Sequence, residues 1–153
     1  MRAAWQQLRT LEVRLRWFLP SGGTLNRTEW RQRQMVLQWI IGFHGVALFA
    51  IGMYVGNGLV HSLADAAVLL PWMVLAWAPR LPRRLRSCAA SIALLTASAV
   101  LVHLFNGAIE AHFHFFVVIA IIALYQDWVP FGVTLLFVVF EHGIGGLLVP
   151  GAV

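Results

Sequence analysis

The sequence predicts an all-α integral membrane helical bundle, and three features of its 153 residues predict it: composition, the length of the apolar runs and the placement of the arginines. Hydrophobic residues make up 60% of the chain and charged residues 11%, where a soluble domain carries about a quarter charged. Five apolar runs, near 34–57, 62–78, 89–106, 112–128 and 131–149, each approach the ~20 residues that an α-helix needs to cross a ~30 Å hydrocarbon core. The second and fourth are short and would cross with little tilt. Spanning strands do not fit, because they need only about ten residues of alternating pattern and these runs are continuous.

All eleven basic residues are arginine. Seven precede the first run, and four (Arg80, Arg83, Arg84 and Arg86) lie between the second and third. Short arginine-rich segments stay on the cytoplasmic side, and two spans separate these groups, so both face the same way. The N-terminus is therefore expected in the cytoplasm, with outer turns at 56–61 and 106–111 and an inner turn at 126–130. Trp39, Trp77 and Trp128 fall near inner ends, where interfacial anchors belong. Five spans would leave Val153 outside, and a sixth beyond it would return the chain to the cytoplasm.

The domain division expected is a basic N-terminal segment, 1–33, followed by a transmembrane domain, 34–149. Within the first, Trp5, Leu8, Leu11, Trp17 and Phe18 alternate with arginines before Pro20, the pattern of a short amphipathic helix on an anionic membrane surface. Ser21, Gly22 and Gly23 then break the chain, and 28–33 form a polar approach to the bilayer. Arg2, Arg9, Glu12, Arg14 and Arg16 interrupt the region where a cleavable signal needs its apolar core. The single Cys88 excludes an internal disulfide. The net charge of +5 does not indicate nucleic acid, because the arginines flank apolar runs instead of covering a folded face.

The residues with chemistry are histidines. Of six, His61 is placed in an outer loop and the other five lie within or at the ends of apolar runs, where ionisable side chains are costly and turn toward the bundle interior. Around the second outer turn stand His103, Glu110, His112 and His114. On a helix Glu110 and His114 share a face, His112 points nearly opposite, and Tyr125 returns to the face of His114. Glu141 and His142 precede Gly143, Gly145 and Gly146, and His44 lies between Gly42 and Gly45, where small residues permit close helix approach. At ~1.5 Å per residue, His44 is ~14 Å deep from the inner side, His142 ~17 Å and His103 ~21 Å.

Two kinds of site fit this spacing. A copper, zinc or iron ion suits an outer cluster of His103, His112, His114 and His142, with Glu110 or Glu141 as ligand or support. A non-covalent haem b suits His44 and His142 as axial ligands from facing helices; there is no CxxCH motif for covalent attachment. The bland alternative is that membrane histidines only hydrogen-bond between helices. Asp65 is expected to cap the second span, and Asp127 to structure the inner turn. Phosphate-loop, GxSxG and HExxH signatures are absent, so no enzymatic step is assigned to the chain.

Two stretches, IEAHFHFFVVIAIIALYQDWVPF at 109–131 and FVVFEHGIGGLL at 137–148, with a weaker extension back to WRQRQ at 30–34, resemble the multi-pass membrane sensor region of bacterial diguanylate cyclases, histidine kinases and chemoreceptors. The resemblance implies a sensory input module in the inner membrane, a cytoplasmic output domain as partner and a further span; a second copy of the chain, as a homodimer, is a further candidate partner. Members often carry a second histidine where this chain has Glu141, so a site needing that ligand would be altered or would use the carboxylate. The function expected is thus a signal-transduction input domain binding a metal ion or haem through its membrane histidines. The alternative is a small membrane redox component with b-type haem, or a transport component.

Overall fold

The computed structural model describes residues 21–145, and all regular structure there is helical. The amphipathic helix expected before Pro20 and the end of the fifth apolar run lie outside these residues. Helix α1 (Arg27–Val55) begins well before residue 34, because Asn26 caps it. The Asn26 side chain accepts from the amides of Thr28 and Glu29, both at 2.9 Å, and Glu29 accepts from the Asn26 amide at 3.0 Å. This reciprocal capping satisfies amides that a helix start otherwise leaves unpaired, so 28–33 is the first turns of a helix and not an approach to one. Gly56, at φ 92°, ends α1 in the left-handed region.

Helices α2 (Gly58–Ala67) and α3 (Leu70–Trp77) form one apolar stretch of 20 residues, broken beside Pro71. Proline has no amide hydrogen and cannot continue the ladder from the preceding turn. Pro79 and Pro82 flank a short loop that carries Arg80, after which α4 (Arg83–Leu104) starts with Arg83, Arg84 and Arg86 and runs unbroken. Helix α5 (Ile109–Ile122) closes in a 3₁₀ turn, Ala123–Tyr125, and α6 (Trp128–Val139) passes into a π-helical turn, Phe140–Gly145. Each expected apolar run thus forms helix in the expected order. Among the described residues three stretches, Arg27–Val55, Gly58–Trp77 and Arg83–Leu104, are long and apolar enough to cross a membrane; Ile109–Tyr125 and Trp128–Gly143 are apolar but shorter.

Helix α4 is the centre, packed by α1, α3, α5 and α6. Its buried positions are mostly small, including Ala89, Ala90, Ala93, Ala97, Ser91 and Ser98, and small side chains let helix backbones approach without a hydrophobic driving force. The outer surface is apolar instead: Trp39 is 76% exposed, Val60 81% and Leu136 71%. Such a skin suits hydrocarbon, not water. Of the glycines expected to admit close packing, Gly42, Gly45 and Gly143 do not do so, and Gly146 lies outside the described residues. A Cβ at Gly42 or Gly143 meets open space, and one at Gly45 makes only ordinary contact with Leu69. The tight approach is at Gly52, where a Cβ would stand 2.7 Å from Ser62 Oγ and 3.3 Å from its Cα.

A polar knot ties the arginine-bearing end. The Trp30 indole N–H donates to Ser87 Oγ at 2.9 Å, with the guanidiniums of Arg83 and Arg86 over its ring at 5.5 and 5.1 Å. The Tyr125 hydroxyl donates to Gln34 Oε1 at 2.7 Å. Gln34, Gln38 and Arg86 all donate to the Ala76 carbonyl, at 3.1, 3.0 and 3.0 Å, an oxygen that the end of α3 would otherwise leave unpaired. Arg33 reaches the Leu124 carbonyl. Asp127 caps α6 through the Val129 amide at 3.0 Å and pairs with Arg84 at 3.4 Å.

Candidate functional site

The six histidines fall into three pairs, each joining a different pair of helices. The first links α1 to α5. His44 Nε2 and His114 Nε2 are 3.0 Å apart, His44 Nδ1 is 2.7 Å from the Ile40 carbonyl, and His114 Nδ1 is 2.8 Å from Ser98 Oγ on α4. The proton positions follow from these partners. A carbonyl only accepts, so His44 Nδ1–H donates to Ile40 and His44 Nε2 is left as an acceptor. His114 Nε2–H must then donate to it, which makes His114 Nδ1 an acceptor for the Ser98 hydroxyl. That hydroxyl has a second acceptor, the Leu94 carbonyl at 3.2 Å, so its one proton is contested. A second proton on His44 would reverse the chain: His114 would donate to Ser98, and Ser98 to Leu94.

The second pair links α5 to the π turn. The rings of His112 and His142 meet edge to face with centroids 5.5 Å apart, and Phe115 packs on His142 at 5.1 Å. His112 Nδ1–H donates to the Ala108 carbonyl at 3.0 Å; His142 Nδ1 lies 3.2 Å from the Val138 carbonyl and 2.6 Å from Glu141 Oε2. Anchoring one ring nitrogen on an acceptor fixes the tautomer and leaves the lone pair on the other. Both rings line an open, mainly apolar cleft of about 540 Å³ with Phe116, Ile119 and Val138.

The third pair links α2 to α4. His61 and His103 face each other at 6.2 Å between centroids, and Asp65, one turn along from His61, brings its Oδ2 to 3.5 Å from His61 Nε2. This grouping departs from the sequence reading twice. His61 is not a loop residue but sits on α2, because that helix starts at Gly58. For the same reason Asp65 is beyond the capping position and points at a histidine four residues back. The i, i+4 spacing of His61 and Asp65 was the available signal.

The expected outer cluster of His103, His112, His114 and His142 is divided among all three pairs, and neither a ring contact nor a hydrogen bond joins His44 to His142, the expected axial pair. Glu110 is exposed in the first turn of α5. Tyr125 does not share a site with His114; it is buried in the knot at the other end of the helix, on Gln34.

No family model matches the sequence, and no solved structure matches the fold. Among curated proteins the chain is similar to Transducer protein Htr8 of Halobacterium salinarum, 36% identical over 144 residues. The match takes in 86% of this chain and 22% of that protein, so the chain spans about a fifth of the relative's length.

Proposed function

We propose that this chain is the membrane-embedded input domain of a signal transducer. It crosses the membrane five times from a cytoplasmic N-terminus, with the basic segment 1–33 on the inner face and 34–149 in the bilayer. The observation that carries this reading is the likeness of most of the chain to one part of a transducer protein. The remainder of such a protein supplies the output, which this domain biases from within the membrane. Arginines at 80–86 and in the knot support the inner placement of that end, and the apolar skin of the bundle supports lipid as its surroundings.

The histidine pairs support a way to register a stimulus. Each pair spans two helices, so an event at a pair favours one helix packing over another, provided the free energy of that event differs between the packings. The His112–His142 pair suits a first-row transition-metal ion such as copper or zinc, because both rings are anchored through Nδ1, which leaves Nε2 as the donor nitrogen, and both line one cleft. Edge-to-face contact between these rings favours a small ion over haem, whose macrocycle would have to lie between two axial ligands.

The test is a fusion of the chain to a cytoplasmic signalling region of known kinase-coupled output, in native-like membranes, titrated with Cu²⁺ and with Zn²⁺. Output should change with one of the ions, and the response should disappear in His112→Ala/His142→Ala. A correctly inserted fusion that responds to neither ion contradicts the metal reading, and a haem absorption band in the purified protein would replace the ion by haem.

A further inference from the structure

The geometry points to a zinc-type metal site, separate from the His112–His142 cleft, formed by His61, Asp65 and His103 at the end of the bundle that carries the α1–α2 and α4–α5 turns. The three side chains each present one ligand atom, and these atoms lie within 4.8 Å of one another. Zinc takes imidazole nitrogen and carboxylate oxygen at about 2.0–2.2 Å in a tetrahedral arrangement, which sets ligand atoms roughly 3.4 Å apart. His61 Nε2 and Asp65 Oδ2 are already at 3.5 Å. His103 must come closer, and as an exposed side chain on the last turn of α4 it is free to rotate inward.

A second observation asks for a cation at this place. Asp65 is only 14% exposed, its Oδ2 is buried, and that oxygen accepts no hydrogen bond. A carboxylate withdrawn from water without a donor is costly. A bound divalent ion would compensate it more fully than an imidazole 3.5 Å away. His61, 54% exposed and in the first turn of α2, leaves the site open at this end of the bundle, from which the ion would enter and keep a water as its fourth ligand. With ligands from α2 and α4, occupancy would clamp two helices that make no hydrogen bond to each other through these side chains.

The test uses the whole chain in detergent micelles with any affinity tag removed, and ZnCl₂ as the probe. In a His112→Ala/His142→Ala background, which removes the pair proposed above to bind metal, Zn²⁺ should still bind at one ion per chain, measured by competition with a coloured chelator. Adding Asp65→Asn or His103→Ala should weaken it at least about tenfold. Retention of full affinity in these variants, or no binding in the background, overturns the site. A measurement on the unmutated chain guards against misfolded variants: Zn²⁺ should protect His61 and His103 from diethyl pyrocarbonate, read by mass spectrometry. Unchanged modification of both at saturating Zn²⁺ also overturns it. Either result leaves the response through His112 and His142 to be judged by the fusion experiment.

Discussion

At the arginine-rich end, Trp30, Gln34, Arg86 and Tyr125 join α1, α3, α4 and the end of α5 through side chains whose protonation does not change near neutral pH. Beyond the middle of the bundle the helices are joined by imidazoles, whose two ring nitrogens exchange donor and acceptor roles and which bind metals. The first region has one arrangement of its hydrogen bonds, since every donor there meets a carbonyl, an amide oxygen or a hydroxyl. The second has at least two, because the Ser98 proton can serve His114 or Leu94. A bundle that receives a signal at one end and passes it on at the other needs this division: a part that can change state, and a part rigid enough to transmit the change as movement of whole helices.

Substitutions separate the two regions by what they change. Trp30→Ala should have the largest effect on stability, about 3 kcal/mol or more, because it removes a buried aromatic together with its bond to Ser87 and its stacking under two guanidiniums. Denaturant unfolding in mixed micelles would measure it. Tyr125→Phe should cost less, about 1–3 kcal/mol, by leaving Gln34 Oε1 buried without its donor, and the same unfolding curve should keep its slope. Ser98→Ala should cost under about 1 kcal/mol, in the range of interhelical hydrogen bonds in membranes. Its signature is different: His114 Nδ1 loses its hydroxyl partner, which ¹⁵N NMR of labelled histidine would detect. If Ser98→Ala destabilised the bundle as much as Trp30→Ala, the contrast between a rigid and a switchable region would not hold.

Much of this fold was legible in the sequence because the helices are set by composition: continuous apolar runs of this length have few alternatives to helix. The capping box of Asn26 and Glu29 could also have been read, and would have moved the start of α1 to Arg27. Histidine pairing was not legible, for a geometric reason. Depth follows from counting residues along a helix, so His44 and His142 could be placed at similar levels, but which residues meet also depends on the rotation of each helix about its axis. Helices apolar on every side carry no sequence mark of that rotation. Tyr125 shows what helical spacing can do locally: as expected it lies on the same side as His114, both meeting α1, His114 at His44 and Tyr125 deeper at Gln34.

The contrast between the ends has a direction only if the arginine end faces the cytoplasm, and that orientation can be measured in intact cells. In a Cys88→Ser background, single cysteines at Asn57, Ile109 and Arg80 would be treated with a membrane-impermeant maleimide before and after permeabilisation. Labelling of Asn57→Cys and Ile109→Cys from outside, with Arg80→Cys reached only after permeabilisation, is the predicted result. Labelling of Arg80→Cys in intact cells, or of Asn57→Cys and Ile109→Cys from opposite sides, would contradict it.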